Sequence, residues 1–253
     1  MIKELQSMNI ELLVSIWPTV DKSSENYNHM LENGMLIRQD RGLRISMDFQ
    51  GETVHADFTN PATREFVWKT AKKNYYDKGV KLFWLDEAEP EYNVYDFDIY
   101  RYHSGSVLST GNAYPVEYAK AFYEGMVKDG KQQDVCNLIR CAWAGSQKFG
   151  TLLWSGDIAS SWESFRDQFA AGLNVGIAGI PWWTTDIGED HACLCSFDQA
   201  ISDDLIQAAS TAAIRHILSF GNSARDGSNM VSRYHLPLPS DSLSCMISTN
   251  PIS

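Results

Sequence analysis

Apolar residues in this chain fall into two rhythms. Five stretches are almost continuously apolar: "ELLVSIWPTV" (11–20), "VKLFWLD" (80–86), "NLIRCAWAG" (137–145), "TLLWSGD" (151–157) and "NVGIAGIPWW" (174–183). Runs that do not alternate predict strands buried on both faces, as in a parallel sheet. The segments between them follow the helical period. Asn60 can cap a helix whose first turn suits Pro61, with Phe66, Val67, Ala71 and Tyr75 on one face and Gly79 as its stop. In "SSWESFRDQFAAGLN", Ser160 and Glu163 form a capping box, Trp162, Phe165 and Phe169 share a face, and Gly172 ends the helix. Residues 115–130 read as a third helix. Residues 21–59, with Gly34, Gly42 and Gly51, read as an irregular insertion between a strand and its helix. Strand and helix in alternation predict an α/β fold with a parallel sheet.

The polar residues that interrupt this pattern gather at strand ends. Asp86, Asp157 and Asp186 each follow an apolar run. In a parallel barrel all strand C-termini open on one face, where catalytic groups collect. Two carboxylates about 5–5.5 Å apart suit glycoside hydrolysis, one attacking the anomeric carbon and the other protonating the leaving oxygen. Indoles accompany each: Trp84 precedes Asp86, Trp154 precedes Asp157, and Trp182 and Trp183 precede Asp186. Sugar rings present apolar C–H faces that such surfaces can pack against. Asp86 also opens a knot with Glu87, Glu89 and Glu91. From the residues alone this knot is a solvated loop, a cation site, or a place where one carboxylate does chemistry.

Composition narrows the partners. The 253 residues are 44% hydrophobic and 12% aromatic, enough for one sizeable core. The net charge is −11 and no Lys/Arg run exceeds "KK", which argues against nucleic acid or an anionic membrane as partner. "MIKELQSMNIELLVSIW" carries charge at once and no small-residue cleavage site, so it does not read as a signal peptide. No apolar run reaches the roughly 18 residues of a membrane-spanning helix. The five cysteines are an odd number, Cys193 and Cys195 stand too close together for a zinc site, and cysteine says little here. Compartment and oligomeric state stay open.

At the strand ends the sequence becomes familiar. "FWLDEAEPEY", "RCAWAGSQKFGTLLWSGD" and "GIAGIPWWTTDIG", with "DFTNP" (57–61) and "GNAYP" (111–115), resemble glycoside hydrolase family 31, most of all its α-xylosidase branch. The resemblance covers residues 1–188. It implies a retaining α-glycosidase on a (β/α)₈ barrel: here a partial TIM barrel, with about five of eight strands visible and a divergent C-terminal tail. It implies Asp86 as nucleophile, Asp157 as acid/base, and Arg140, Trp84 and Trp154 in the −1 sugar subsite, with Trp17 as another pocket aromatic and Asp186 as a supporting carboxylate. Asp86 must then be ionised beside Arg140 while Asp157 keeps a proton to donate. Glu87, Glu89 and Glu91 are left to shape the loop or face solvent. No cofactor or metal is implied, and the substrate is a glycoside or oligosaccharide with a terminal α-linked xylose. An α-glucoside is the alternative, as is a truncated product that keeps the motifs without a complete pocket.

Two departures accompany the resemblance. Family members carry a β-sandwich and two barrel strands upstream of the point where this sequence begins. Beyond Gly188 the likeness stops, and none of the eight Trp residues lies there. Residues 189–253 read as a non-matching tail, for which a shifted reading frame and disorder are the expectation. One codon choice for residues 213–219, read one base later, encodes Gln-Tyr-Gly-Thr-Phe-Cys-Pro, which resembles the family's continuation.

Overall fold

The structure is a computed structural model that describes residues 2–40, 52–92, 97–130, 135–159, 161–185 and 248–249. It forms two compact units, residues 1–151 with 246–253, and residues 152–245.

In the first unit a short helix α1 (Ile2–Ser7) leads into strand β1 (Leu13–Ile16), the centre of the predicted run 11–20. Strand β5 (Leu82–Leu85) lies parallel to β1, and β8 (Asn137–Ile139) parallel to β5. The far edge of β1 is met in parallel by β11 (Ser248–Thr249), through Val14 with Ser248 and Ser15 with Thr249. The rest of the expected tail, like Asp186, lies outside the described residues.

Helices α3 (Pro61–Asn74) and α5 (Tyr114–Lys128) follow their strands as the alternation predicts. The Asn60 side chain accepts a hydrogen bond from the Ala62 amide at 2.9 Å, and Pro61 occupies the first turn. Gly79 closes the 3-10 turn after α3 at φ 108°, a left-handed conformation that suits glycine. On α3, Val67, Trp68 and Ala71 are buried, so Trp68 joins the predicted stripe. Its indole packs edge-on against Tyr76, Phe83 and Phe122, which ties α3 to β5 and α5. Gly125 makes this approach fit, because a Cβ there would stand 2.2 Å from the Trp68 ring. Buried phenols staple the layers. The Tyr118 hydroxyl donates to the Ile16 carbonyl at 2.8 Å, and the Tyr114 hydroxyl to that of Ala56 at 2.7 Å.

The described parts of the insertion 21–59 are more regular than expected. Strand β2 (Thr19–Asp21) pairs antiparallel with β4 (Thr53–His55), and α2 (Tyr27–Glu32) lies between them in sequence. Strand β3 (Arg38–Gln39) joins β6 (Tyr100–Tyr102) and β7 (Gly105–Ser106) in a small antiparallel sheet, followed by the short helix α4 (Val107–Thr110). Local hydrogen bonds organise what periodicity misses: buried Asp57 accepts from the Thr59 amide, the Thr59 hydroxyl and the His103 amide.

In the second unit β9 (Thr151–Trp154), whose first residue belongs to the unit before it, runs parallel to β10 (Trp183–Thr184). Helix α6 spans Trp162–Ile177 and corrects three expectations. Its N-cap is Ser161, which accepts from the Ser164 amide at 3.1 Å, one residue after the expected Ser160, which lies outside the described residues. Gly172 does not stop the helix. It sits mid-helix against Trp183, whose ring a Cβ would meet at 2.6 Å. The run 174–183 is therefore the helix end and a turn, with strand only at Trp183–Thr184. Trp162 and Phe169 share a face, but it is exposed within the described structure.

Candidate active site

The parallel register assembles one end of the first unit. Ile16 pairs with Leu85, and Leu85 with Ile139. The next residues of the three strands are Trp17, Asp86 and Arg140, so they emerge side by side at the C-terminal edge. The Asp86 amide continues the ladder by donating to the Ile16 carbonyl at 3.0 Å.

Asp86 and Glu87 are both buried, at 6% and 5% exposure. Burying carboxylates without compensation is costly, and Arg140 supplies the compensation. Its Nε donates to both carboxylate oxygens of Glu89 at 2.9 Å, and its Nη2 donates to Glu91 at 2.8 Å. Its Nη1 stands 3.1 Å from Glu87 and 3.7 Å from Asp86. The expectation that these glutamates only shape the loop or face solvent is thus corrected: all three hold the arginine. Nothing in the linear pattern says which cation they meet.

Electrostatics divides the knot. Burial, with Glu91 and Asp86 nearby, pushes the Glu87 carboxyl up to about 8 against the pull of Arg140. Burial works the same way on Glu91, but hydrogen bonds with Arg140 and Glu87 outweigh it and hold that carboxyl below its ordinary value. For Arg140, burial opposes the charge, and its bonds to Glu89 and Glu91 with the nearby Glu87 more than restore it.

Trp17 and Trp84 are half-buried at this edge. In the second unit Trp154 is buried and pairs with Thr184, while Asp157 lies exposed three residues beyond it. The Ser155 amide donates to the Thr184 carbonyl at 3.1 Å, which carries the β9–β10 ladder towards Asp157. Among the described residues no group of three or more His, Cys, Asp or Glu is arranged to hold a metal ion. No described helix is long and apolar enough to cross a membrane.

The sequence model of the glycosyl hydrolases family 31 TIM-barrel domain matches residues 1–195, running past Gly188. The chain is 57% identical over 188 residues to an "Uncharacterized family 31 glucosidase ORF2" of Pseudescherichia vulneris, covering 74% of this chain and 35% of that protein. It is 34% identical over 200 residues to Alpha-xylosidase A of Aspergillus niger, covering 70% and 27%. Among solved structures, a GH31 α-xylosidase from a soil metagenome, complexed with xylose, superposes with a TM-score of 0.78 at 55% identity. That match covers 82% of this chain and 31% of the other. The parallel strands and helices described above are therefore part of a TIM barrel, and the chain spans about a third of the length of these proteins.

Proposed function

Because the chain belongs to glycoside hydrolase family 31, we propose that it carries the catalytic machinery of a retaining α-glycosidase for terminal α-xylosyl groups. The observation that carries the reading is the juxtaposition of Asp86 and Arg140 at neighbouring strand ends, 3.7 Å apart. Asp86 is the nucleophile. Its oxygen attacks the anomeric carbon as the bond to the leaving oxygen breaks, and Asp157 gives that oxygen its proton. Asp157 then takes a proton from water, which displaces Asp86 from the sugar. Two inversions restore the α configuration. Arg140 offsets the charge of Asp86 and, with Trp17, Trp84, Trp154 and Asp186, binds the sugar. Neither displacement calls for a cofactor.

Xylose differs from glucose by lacking the hydroxymethyl group, so the choice rests on how tightly the pocket closes around that position. The soil-metagenome neighbour with bound xylose favours the xyloside. The printed name of the Pseudescherichia relative favours α-glucosides as a second reading. Comparing kcat/KM on aryl α-xyloside and aryl α-glucoside decides between them. A ratio well above one supports the xylosidase reading, a ratio below one the glucosidase, and no turnover of either by any protein carrying this segment removes both.

A further inference from the structure

Three of the four carboxylates around Arg140 have ready explanations: Asp86 as nucleophile, Glu89 and Glu91 as clamps on Nε and Nη2. Glu87 has none. It is as buried as Asp86, and its backbone adopts φ 52°, a left-handed conformation that is uncommon outside glycine and accumulates at functional sites. Its Oε1 approaches Nη1 of Arg140 at 3.1 Å, the same nitrogen that stands 3.7 Å from Asp86. With Nε and Nη2 occupied, Nη1 is the edge of the guanidinium that remains to be shared.

We propose that Glu87 is a positioning residue for the nucleophile: as a neutral acid it leaves Nη1 of Arg140 to Asp86, and as an anion it competes for that nitrogen. This rests on the assignment of Asp86 as nucleophile. Neutral Glu87 donates its proton towards Glu91, completing a chain from Glu87 through Glu91 to Arg140. Loss of that proton would put two buried anions on adjacent residues against one shared cationic edge. Like charges so close resist joint ionisation, and burial already pushes the Glu87 carboxyl up to about 8. The other groups facing it are accounted for. Arg140 favours the anion, while Glu91 and Asp86 oppose it. Tyr118, whose phenol feels Asp86 and Glu87, spends its hydroxyl on the Ile16 carbonyl. The consequence is an alkaline limit on activity set by Glu87, which is not one of the two carboxylates that react.

The experiment follows the ¹³C-carboxyl resonance of Asp86, assigned through Asp86→Asn, in the full chain across pH 6–10. The expected result is a step near pH 8, where Glu87 ionises, and its disappearance in Glu87→Gln. A step that persists in Glu87→Gln, or wild type without one, overturns the proposal. Neither reading depends on turnover, so an inactive chain would count against the proposed function and not against this coupling. In active protein, Glu87→Gln should move the alkaline limb of kcat/KM upward by a pH unit or more, against about 8 in wild type. An unchanged limb would overturn the link to catalysis.

Discussion

The Arg140 Nε donates to both carboxylate oxygens of Glu89 at 2.9 Å while Nη2 holds Glu91 at 2.8 Å, so one planar guanidinium spans carboxylates on different edges. A lysine offers a point charge and no such spread of donors. Arg140→Lys should therefore keep the fold but release the Glu87–Glu91 segment, with a rise in KM and a fall in kcat. Arg140→Met should do more, by leaving the buried Asp86 without a counter-charge. Breaking a fully buried ion pair costs about 3–5 kcal/mol, and the loss here should be smaller because Glu89 and Glu91 are 40% and 44% exposed. Glu91, held below its ordinary value, contributes stability present above the unfolded pKa of 4.5 and lost as pH falls further. Urea midpoints for wild type and Arg140→Met should accordingly converge on acidification. A gap that stays constant would show that charge is not the cause.

The two aspartates proposed to react predict different signatures. Asp86→Ala should lower kcat by about 10⁴-fold or more on every substrate, the scale of nucleophile loss in other covalent enzymes. Azide should restore some turnover and yield a β-glycosyl azide; an α product would exclude Asp86 as nucleophile. Asp157→Ala should cost about 10²–10⁴-fold on disaccharides and far less on substrates with a good aryl leaving group. Equal losses on both would argue against a proton-transfer role.

Gly125 on α5 faces the Trp68 indole with no room for a methyl group, the added Cβ falling at 2.2 Å. The ring cannot swing away, since Tyr76, Phe83 and Phe122 surround it. Gly125→Ala should destabilise by about 1–3 kcal/mol through overpacking, despite alanine's better helix propensity. Thermal melts should show the loss, and Trp68→Leu in the same chain should recover part of it. Failure of the pair to interact would mean the helices adjust freely.

His55 lies fully buried on β4 beside the Tyr92 ring, at 5.6 Å between centroids. Burial pushes its pKa down to about 4, against a weaker upward pull from Glu91. In the unfolded chain it takes a proton near 6.5, so between 6.5 and 4 the unfolded state binds more protons and stability falls as pH falls. Glu87 has the opposite sign. Its contribution is complete below 4.5 and drains away as pH rises through about 8. His55→Leu should flatten the acid side of the stability curve and leave the side above pH 6.5 unchanged. Urea midpoints at half-unit steps of pH would reveal an unaltered slope if the imidazole were not the titrating group.

What the sequence determined by itself was the set of buried strands and the helices with clear punctuation. Continuous apolar runs at 11–20, 80–86 and 137–145 could satisfy themselves only inside a sheet, and Asn60, Pro61 and Gly79 act over a few bonds, so both were legible locally. The resemblance of "FWLDEAEPEY" and its companion motifs carried the family and named Asp86 and Arg140. Three things needed the tertiary structure. Helix α6 ran through Gly172 because Trp183, eleven residues later, fills the space that the missing side chain leaves; only packing decides between a stop and a contact. The described parts of the insertion 21–59 form strands because they pair with segments far along the chain, as β3 does with β6. The carboxylate knot acquired its meaning from parallel register, which sets Arg140 beside Asp86 across an interval of more than fifty residues. Charge pairing acts through space, so the residues alone leave the knot open between a solvated loop, a cation site and chemistry until the strand that brings its cation is in place.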